Sequence, residues 1–197
     1  MQKIILASKS RARKTMLENA GIDFDCLPAD IDEEKIIEEL TSSGASSGNI
    51  ALNLAREKAM VISKKNPEKI IIGSDQVLSM NDKVYSKVEN KEEAKIRLME
   101  FQGREHYLTS AVCAVKNGEN LWHKTDVAAL KMKALDDRAI DKYIEIAGDD
   151  LVSCVGCYAV EGVGIRLFES IRGDFFTIMG MPLLPLLKFL DNEKVLL

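Results

Sequence analysis

No apolar run in this sequence approaches the ~20 residues that a membrane-spanning helix needs. Runs such as residues 70–72 and residues 183–187, the latter interrupted by Pro185, extend over only a few residues. Residues 4–7 are too short for the apolar core of a signal peptide, and Lys9, Arg11, Arg13 and Lys14 follow almost at once. Neither membrane insertion nor export is expected, and a cytoplasmic location is. An excess of positive charge is also missing. The formal net charge is −4 and there is a single Trp, which argues against a nucleic-acid-binding module built on a basic face. Histidine and cysteine are scarce, at two and four copies. Cys154 and Cys157 have the CxxC spacing of a redox pair or of half a zinc site. However, His106 and His123 are far apart and form no paired motif to complete one. In an intracellular chain, Cys26, Cys113 and this pair read most simply as reduced thiols.

What is present suits one substantial core. At 197 residues, 46% hydrophobic and 29% charged, the chain reads as a single globular domain spanning 1–197, able to bury roughly 70% of its unfolded surface. The charge is unevenly placed. Residues 1–14 carry five basic side chains and no acid, whereas residues 22–39 carry eight acids against Lys35 alone. Such a pair of segments can hold a phosphate beside a metal, or can be two solvated faces.

Periodicity and turn chemistry predict alternating strands and helices. A strand at 3–7 runs into a Ser-rich turn and a helix over 11–20, with Ser10 as N-cap and Gly21 just beyond its end. A strand at 24–27 and a short acidic helix at 32–40 follow. Ala51, Leu54, Ala55, Ala59 and Ile62 stripe one face of a helix over 50–65. Residues 69–78 form a β-rich apolar run. Asn90 with Glu93 makes a capping box for a helix to Phe101. Residues 106–115 and 122–135 read as strands joined by a hairpin at 116–119, where Asn117-Gly118 is the turn signal. Helices at 136–147 and 181–190 and a strand at 158–171, broken by Gly162 and Gly164, complete an α/β fold with a mixed sheet.

Several residues could carry chemistry. The turn Ser8-Lys9-Ser10-Arg11-Ala12-Arg13-Lys14 joins a strand to a helix N-terminus, where free N–H groups, hydroxyls and cations attract anions. It lacks the glycines of a Walker loop, so ordinary capping competes with phosphate binding. Asp75 follows three isoleucines at the expected end of a buried strand, a costly place for a carboxylate unless it is paired, protonated or metal-bound. It is a metal ligand, a base or a turn-former. The acidic cluster at 30–34 offers a second metal carboxylate or a helix cap. Lys58 lies on the apolar stripe of its helix and requires an anionic partner or a stem that snorkels outward. Glu161 sits beside Gly162 and Gly164, where a ligand or a bulge brings backbone close.

Taken in order, these segments resemble the Maf family, the septum-formation-inhibitor-like proteins understood as nucleotide pyrophosphatases. The matching stretches are residues 6–13, Asp32-Glu33, 54–59, Gly73-Ser74-Asp75-Gln76, Tyr85-Ser86-Lys87, 103–106, 109–112, 156–162, 171–174 and 178–183. They cover about residues 4–190. The resemblance implies an elongated mixed sheet flanked by helices, as in inosine-triphosphate pyrophosphatases, with two lobes around a central nucleotide cleft. It implies hydrolysis of a nucleoside triphosphate to the monophosphate and pyrophosphate with a divalent metal, Mg2+ or Mn2+. Asp75 matches the catalytic acid, as base or metal holder, and Glu33 a nearby carboxylate able to share the metal. Ser8, Arg13, Lys58 and Lys87 match positions lining the phosphate cleft. Ala12, Gln76 and Glu161 match the positions that track the base. Members acting on dTTP and UTP usually carry Arg, Thr and Gln there, and members acting on 7-methyl-GTP carry an aromatic, Gln and Glu. Here the Gln and Glu are present but the aromatic is replaced by Ala12, and Val88 replaces a usual Pro. A nucleoside triphosphate is the implied partner, with no nucleic acid and no membrane, and a homodimer is left open. The rival reading is a non-catalytic nucleotide-binding regulator of cell division, against which the retained Arg13, Lys58, Asp75 and Lys87 argue.

Overall fold

The computed structural model describes residues 3–148 and 150–196. In chain order the elements are β1 (Ile4–Leu6), α1 (Arg11–Asn19), β2 (Phe24–Cys26), α2 (Glu33–Ser42), α3 (Ser47–Ser63), β3 (Ile71–Met80), β4 (Lys83–Tyr85) and α4 (Lys91–Phe101). Then come β5 (Glu105–Lys116), β6 (Glu119–Met132), α5 (Asp137–Ala147), α6 (Asp150–Ser153), a 3-10 turn (Val163–Leu167), β7 (Phe168–Arg172), α7 (Phe175–Ile178) and α8 (Leu183–Asn192). Among the described residues no helix is long and apolar enough to cross a membrane.

The strands form one mixed sheet in the order β2-β1-β3-β5-β6-β7, with β4 also paired to β3. The predicted α/β class with a mixed sheet flanked by helices is what the chain adopts. The local signals act as expected. Ser10 and Asn90 cap α1 and α4 through their side chains, although Glu93 Oε2 accepts from the Glu89 amide at 3.0 Å and not from the Asn90 amide that a strict capping box would use. Asn117 and Gly118 take φ of 49° and 74°, the left-handed pair of a tight hairpin turn between β5 and β6.

The isoleucine run is explained by burial on both faces of the sheet. Ile72 joins Ile4, Leu6, Leu17 and Val112 under α8, while Ile71 joins Ile5, Ala111 and Cys113 under α3. Neighbouring strand residues point to opposite faces, so a continuous apolar run suits a strand covered by helices on both sides. A third cluster around Leu78, Leu108 and Leu130 packs beneath α4 and α5.

One edge of β3 is interrupted. It pairs with β1 as far as Ile72 and with β4 from Leu78 onward. Residues 73–77 therefore have no strand beside them there, while β5 backs them along the opposite edge. β1 is parallel to β3 and β4 antiparallel, so both strands run out toward this gap. The chain leaves β1 into Ser8 and leaves β4 into Lys87. A sheet with such a gap offers a cleft without losing the continuous backing strand that holds it together.

Two expectations are corrected. Asp75 does not end its strand: β3 continues to Met80, and Asp75 lies opposite Ala111 in the middle of the ladder. Residues 158–171 are not one strand. Residues 158–162 are turn and loop, the 3-10 turn follows, and only β7 is extended. Gly164 decides this, because a Cβ there would stand 2.5 Å from the Ala159 carbonyl oxygen. The chain folds back on itself at that point, so its apolar residues alternate as in a strand without forming one.

Candidate functional site

The gap in the sheet is lined from three directions. Along β3 the side chains alternate in face. Asp75 meets α3, whereas Ser74 and Gln76 meet the segment 177–180.

Gly73 brings α3 close. A Cβ on Gly73 would stand 2.0 Å from the Ala55 carbonyl oxygen and 2.9 Å from the Ala59 Cβ. With no side chain there, and only alanines opposite, helix and strand backbones touch. Lys58, one turn beyond Ala55, then reaches Asp75. Its Nζ donates to Asp75 Oδ1 at 2.5 Å and also lies 3.0 Å from Glu33 Oε1. The side chains of Lys58 and Asp75 are each 9% exposed, that of Glu33 49%. The inward-pointing lysine thus has the anionic partner that its place on the apolar stripe demands. Two carboxylates share one ammonium at the mouth of the gap.

Arg13 enters from α1 and is buried. Its Nε donates to the Gly180 carbonyl at 2.9 Å and its Nη1 to Ser8 Oγ at 3.2 Å. Gly180 has φ 107°, and a Cβ there would press on the guanidinium at 3.3 Å. Burial lowers the Arg13 pKa from its ordinary value, and the negative charges of Asp75 and Glu33 oppose that shift. Arg13 therefore sits within the electrostatic reach of the same carboxylates. Its Nη2 makes no hydrogen bond to any described residue, so donors remain for a ligand. The Ser8 hydroxyl also accepts from the Ser10 amide at 3.2 Å, which fixes the turn.

On the other face, Ser74 Oγ donates to the carbonyls of Ala111 at 2.8 Å and Gly180 at 3.0 Å. Gln76 Nε2 lies 3.0 Å from Ser110 Oγ, 3.0 Å from the Thr177 carbonyl and 2.9 Å from the Ile178 carbonyl. Two carbonyls around that atom fix it as the amide nitrogen. Oε1 is thereby the end left as an acceptor.

Of the residues singled out from the sequence, Ser8, Glu33, Arg13, Lys58 and Asp75 converge. Gln76 lies one residue from Asp75 on the opposite face. Ala12 is half-buried in the first turn of α1, beside Arg13. Lys87 is exposed on the loop after β4, at the far end of the gap. Glu161 is exposed in the turn before the 3-10 segment, tied by no hydrogen bond or ion pair to the other site residues described. Of the cysteine pair, Cys157 serves packing. Cys157 is buried in the cluster beneath α4 and α5, and burial pushes its thiol up to about 11. Among the described residues no three His, Cys, Asp or Glu side chains gather as a metal site. Ser110 and Gly180 lie in matching stretches of the sequence without having been given a role there, and Thr177 was missed. The available signals were a glycine at 180 and the turn chemistry of Asp174, whose Oδ1 accepts from the Thr177 amide at 3.0 Å.

Residues 3–193 match the family model described as Maf-like protein. A protein of Granulibacter bethesdensis named nucleoside triphosphate pyrophosphatase is 43% identical over 98% of this chain and 98% of its own length. One of Brucella suis named 7-methyl-GTP pyrophosphatase is 46% identical over 98% of this chain and 96% of its own. A solved HAM1 protein of Coxiella burnetii aligns with 67% of this chain and 73% of its own, at a TM-score of 0.44 and 13% identity. With the family model covering nearly its whole length and relatives this similar end to end, the chain belongs to the Maf family.

Proposed function

We propose that this chain is a cytoplasmic nucleoside triphosphate pyrophosphatase that seats its substrate in the gap of the sheet, between two lobes of one domain. The observation that carries the reading is the junction of Lys58 with Asp75 and Glu33, set beside an Arg13 that has donors to spare. The names of the relatives from Granulibacter and Brucella support the same reaction.

Arg13, Lys58, Lys87 and the Ser8 hydroxyl bind the triphosphate, whose charge is the main obstacle to attack by water. Asp75 orients the attacking water and accepts its proton. The water oxygen bonds to the α-phosphorus, the α–β bridging bond breaks, and pyrophosphate leaves. Asp75 and Glu33 suit a divalent cation, because the two carboxylates already converge on one positive charge. Mg2+ is characteristically held by one or two carboxylates together with substrate phosphates. When bound, Mg2+ or Mn2+ would neutralise phosphate oxygens and polarise the bond that breaks.

Gln76 and Glu161 read the base. Gln76 presents Oε1, since its nitrogen is committed to the 177–178 carbonyls, and an ionised Glu161 can only accept. Two acceptors complement a base edge with two N–H donors, as guanine has. The negative charge of Glu161 also suits an N7-methylated, positively charged ring.

The test is a panel of nucleoside triphosphates with and without Mg2+, scored for pyrophosphate release by wild type and Asp75→Asn. The expected result is pyrophosphate as first product, with turnover falling at least 10²-fold in a folded Asp75→Asn protein. Orthophosphate as first product, or full activity in that variant, overturns the assignment.

A further inference from the structure

Arg97 of α4 occupies a place that the chemistry above does not use. Its Nη1 donates to two backbone carbonyls, Ser86 at 2.9 Å and Val155 at 2.9 Å. One nitrogen with two N–H bonds therefore fastens two loops far apart in sequence. The Ser86 carbonyl belongs to the peptide that leads into Lys87. Val155 opens the irregular segment that ends in Glu161. The guanidinium is held in place by aromatic faces, with Cζ 4.8 Å from the Tyr85 ring centroid and 5.9 Å from that of Phe101. Tyr85 is in turn fixed, its hydroxyl donating to Glu100 Oε1 at 2.6 Å and its ring edge-on to Phe101.

The segment leading to Glu161 has no strand to hold it. Side chains from three elements hold it instead. Besides Arg97 from α4, Tyr143 of α5 donates to the Cys157 carbonyl at 3.0 Å, and the Tyr158 hydroxyl lies 2.6 Å from His106 Nε2 on β5. Gly156 lies under the Tyr158 ring, where a Cβ would be 2.4 Å from a ring carbon. Residues 155–158 are thus pinned at three successive points, and Glu161 follows three residues later. Of these three tethers, only Arg97 also reaches the Lys87 loop. The two loops share one guanidinium.

We propose that Arg97 is a positioning residue that couples the phosphate-binding loop at Lys87 to the base-reading segment at Glu161. This rests on the reading of those two residues given under Proposed function. Seating the triphosphate at Lys87 then orders the Ser86 carbonyl, Arg97 and the 155–161 segment together. The correct base at Glu161 orders the phosphate loop by the same route. A forked planar donor on aromatic faces suits this role, and a flexible single-point cation does not reproduce it.

The experiment is a double-mutant cycle between Lys87→Ala and Glu161→Gln, read as kcat/KM for a triphosphate. It is run in the wild-type background and again in Arg97→Met, with Arg97→Gln as a second background should Arg97→Met fail to fold. Thermal melts confirm that each protein is folded. In wild type the two substitutions should be non-additive by roughly 2- to 150-fold, as for groups sharing one network. With Arg97 replaced they should become additive, and the ratio of kcat/KM between the best and worst base should shrink. The loss should fall mainly on KM. Additivity already in wild type, or unchanged non-additivity without Arg97, overturns the coupling. If Lys87→Ala and Glu161→Gln each leave kinetics untouched while Asp75→Asn is inactive, the coupling and the loop assignment fall, and the assignment of the catalytic carboxylate stands. An equal fall in kcat for every substrate, tracking a lower melting temperature, would make Arg97 a structural residue only and also overturns the proposal.

Discussion

Replacing Gly73 by Ala tests whether the close approach of α3 to β3 builds the junction of Lys58 with Asp75 and Glu33 proposed to act in catalysis. The new Cβ would lie 2.0 Å from the Ala55 carbonyl oxygen, 3.0 Å from the Ala55 carbonyl carbon and 2.9 Å from the Ala59 Cβ. A carbon–oxygen contact settles at roughly 3.3 Å or more, so the helix must retreat by about 1.3 Å. The nearest obstacle is backbone, so a rotamer change cannot relieve it. α3 buries Ile50, Ala51, Leu54, Ala55, Ala59 and Ile62 against the sheet. A gap wider than about 1 Å forfeits at least half of the dispersion attraction at each contact, and overpacked cores typically lose about 1–3 kcal/mol. For a chain of this size that lowers the melting temperature by roughly 2–12 °C. The same retreat draws the root of Lys58 away from Asp75. The lysine stem can stretch to keep one contact but not to hold both Asp75 and Glu33 at their present distances. If Lys58 positions phosphate as proposed, a misplacement of about 1 Å costs on the order of 10²-fold in turnover. The assay pairs a thermal melt with pyrophosphate-release kinetics. Gly48→Ala on the same helix is the control, since its Cβ would meet only ordinary contacts from 3.5 Å outward. It should melt at or above the wild-type temperature. A Gly73→Ala protein that melts and turns over like wild type would refute the reasoning.

Three further outcomes are expected. Burial holds His106 at about 4 instead of the ordinary 6.5. Between those values the unfolded chain takes up a proton that the folded chain refuses, so stability is lost as pH falls from 6.5 toward 4. The loss is at most about 3 kcal/mol. Urea titrations at pH 7 and pH 4.5 should show a smaller pH effect in His106→Gln, and equal pH slopes would disprove it. Glu161→Gln should move preference away from N–H-donating bases by roughly 5- to 150-fold in relative kcat/KM, and an unchanged ranking would make Glu161 a surface residue. Ala12→Trp should sharpen any preference for an N7-methylated guanine through cation–π attraction of about 0.5–2 kcal/mol, read as the ratio of kcat/KM for methylated and unmethylated substrate.

Much of this protein was legible in its sequence, for local reasons. Helix starts at Ser10 and Asn90 and the hairpin at Asn117-Gly118 depend on groups within four residues of one another, which any chain bearing them can satisfy. The isoleucine run announced a buried strand, and the stripe on α3 placed Lys58 on its apolar face, where it needed either an anionic partner or a stem that snorkels outward. The motifs that carry the Maf resemblance named Asp75, Arg13 and Glu33 as charged residues of one site. What pattern alone misjudged were the extent of β3 past Asp75 and the state of residues 158–171. Alternation of apolar side chains is the same for a strand and for a loop pinned by Arg97, Tyr143 and His106. The tertiary structure alone decided which groups meet. Arg13 is held by the carbonyl of Gly180, 167 residues away, and Lys58 is shared between Asp75 and Glu33 because Gly73 lets α3 lie against β3. A charge near a sheet edge is a local property, readable from composition. The partner that makes burying it tolerable lies across the fold, and only the packing of distant segments brings it within hydrogen-bond reach.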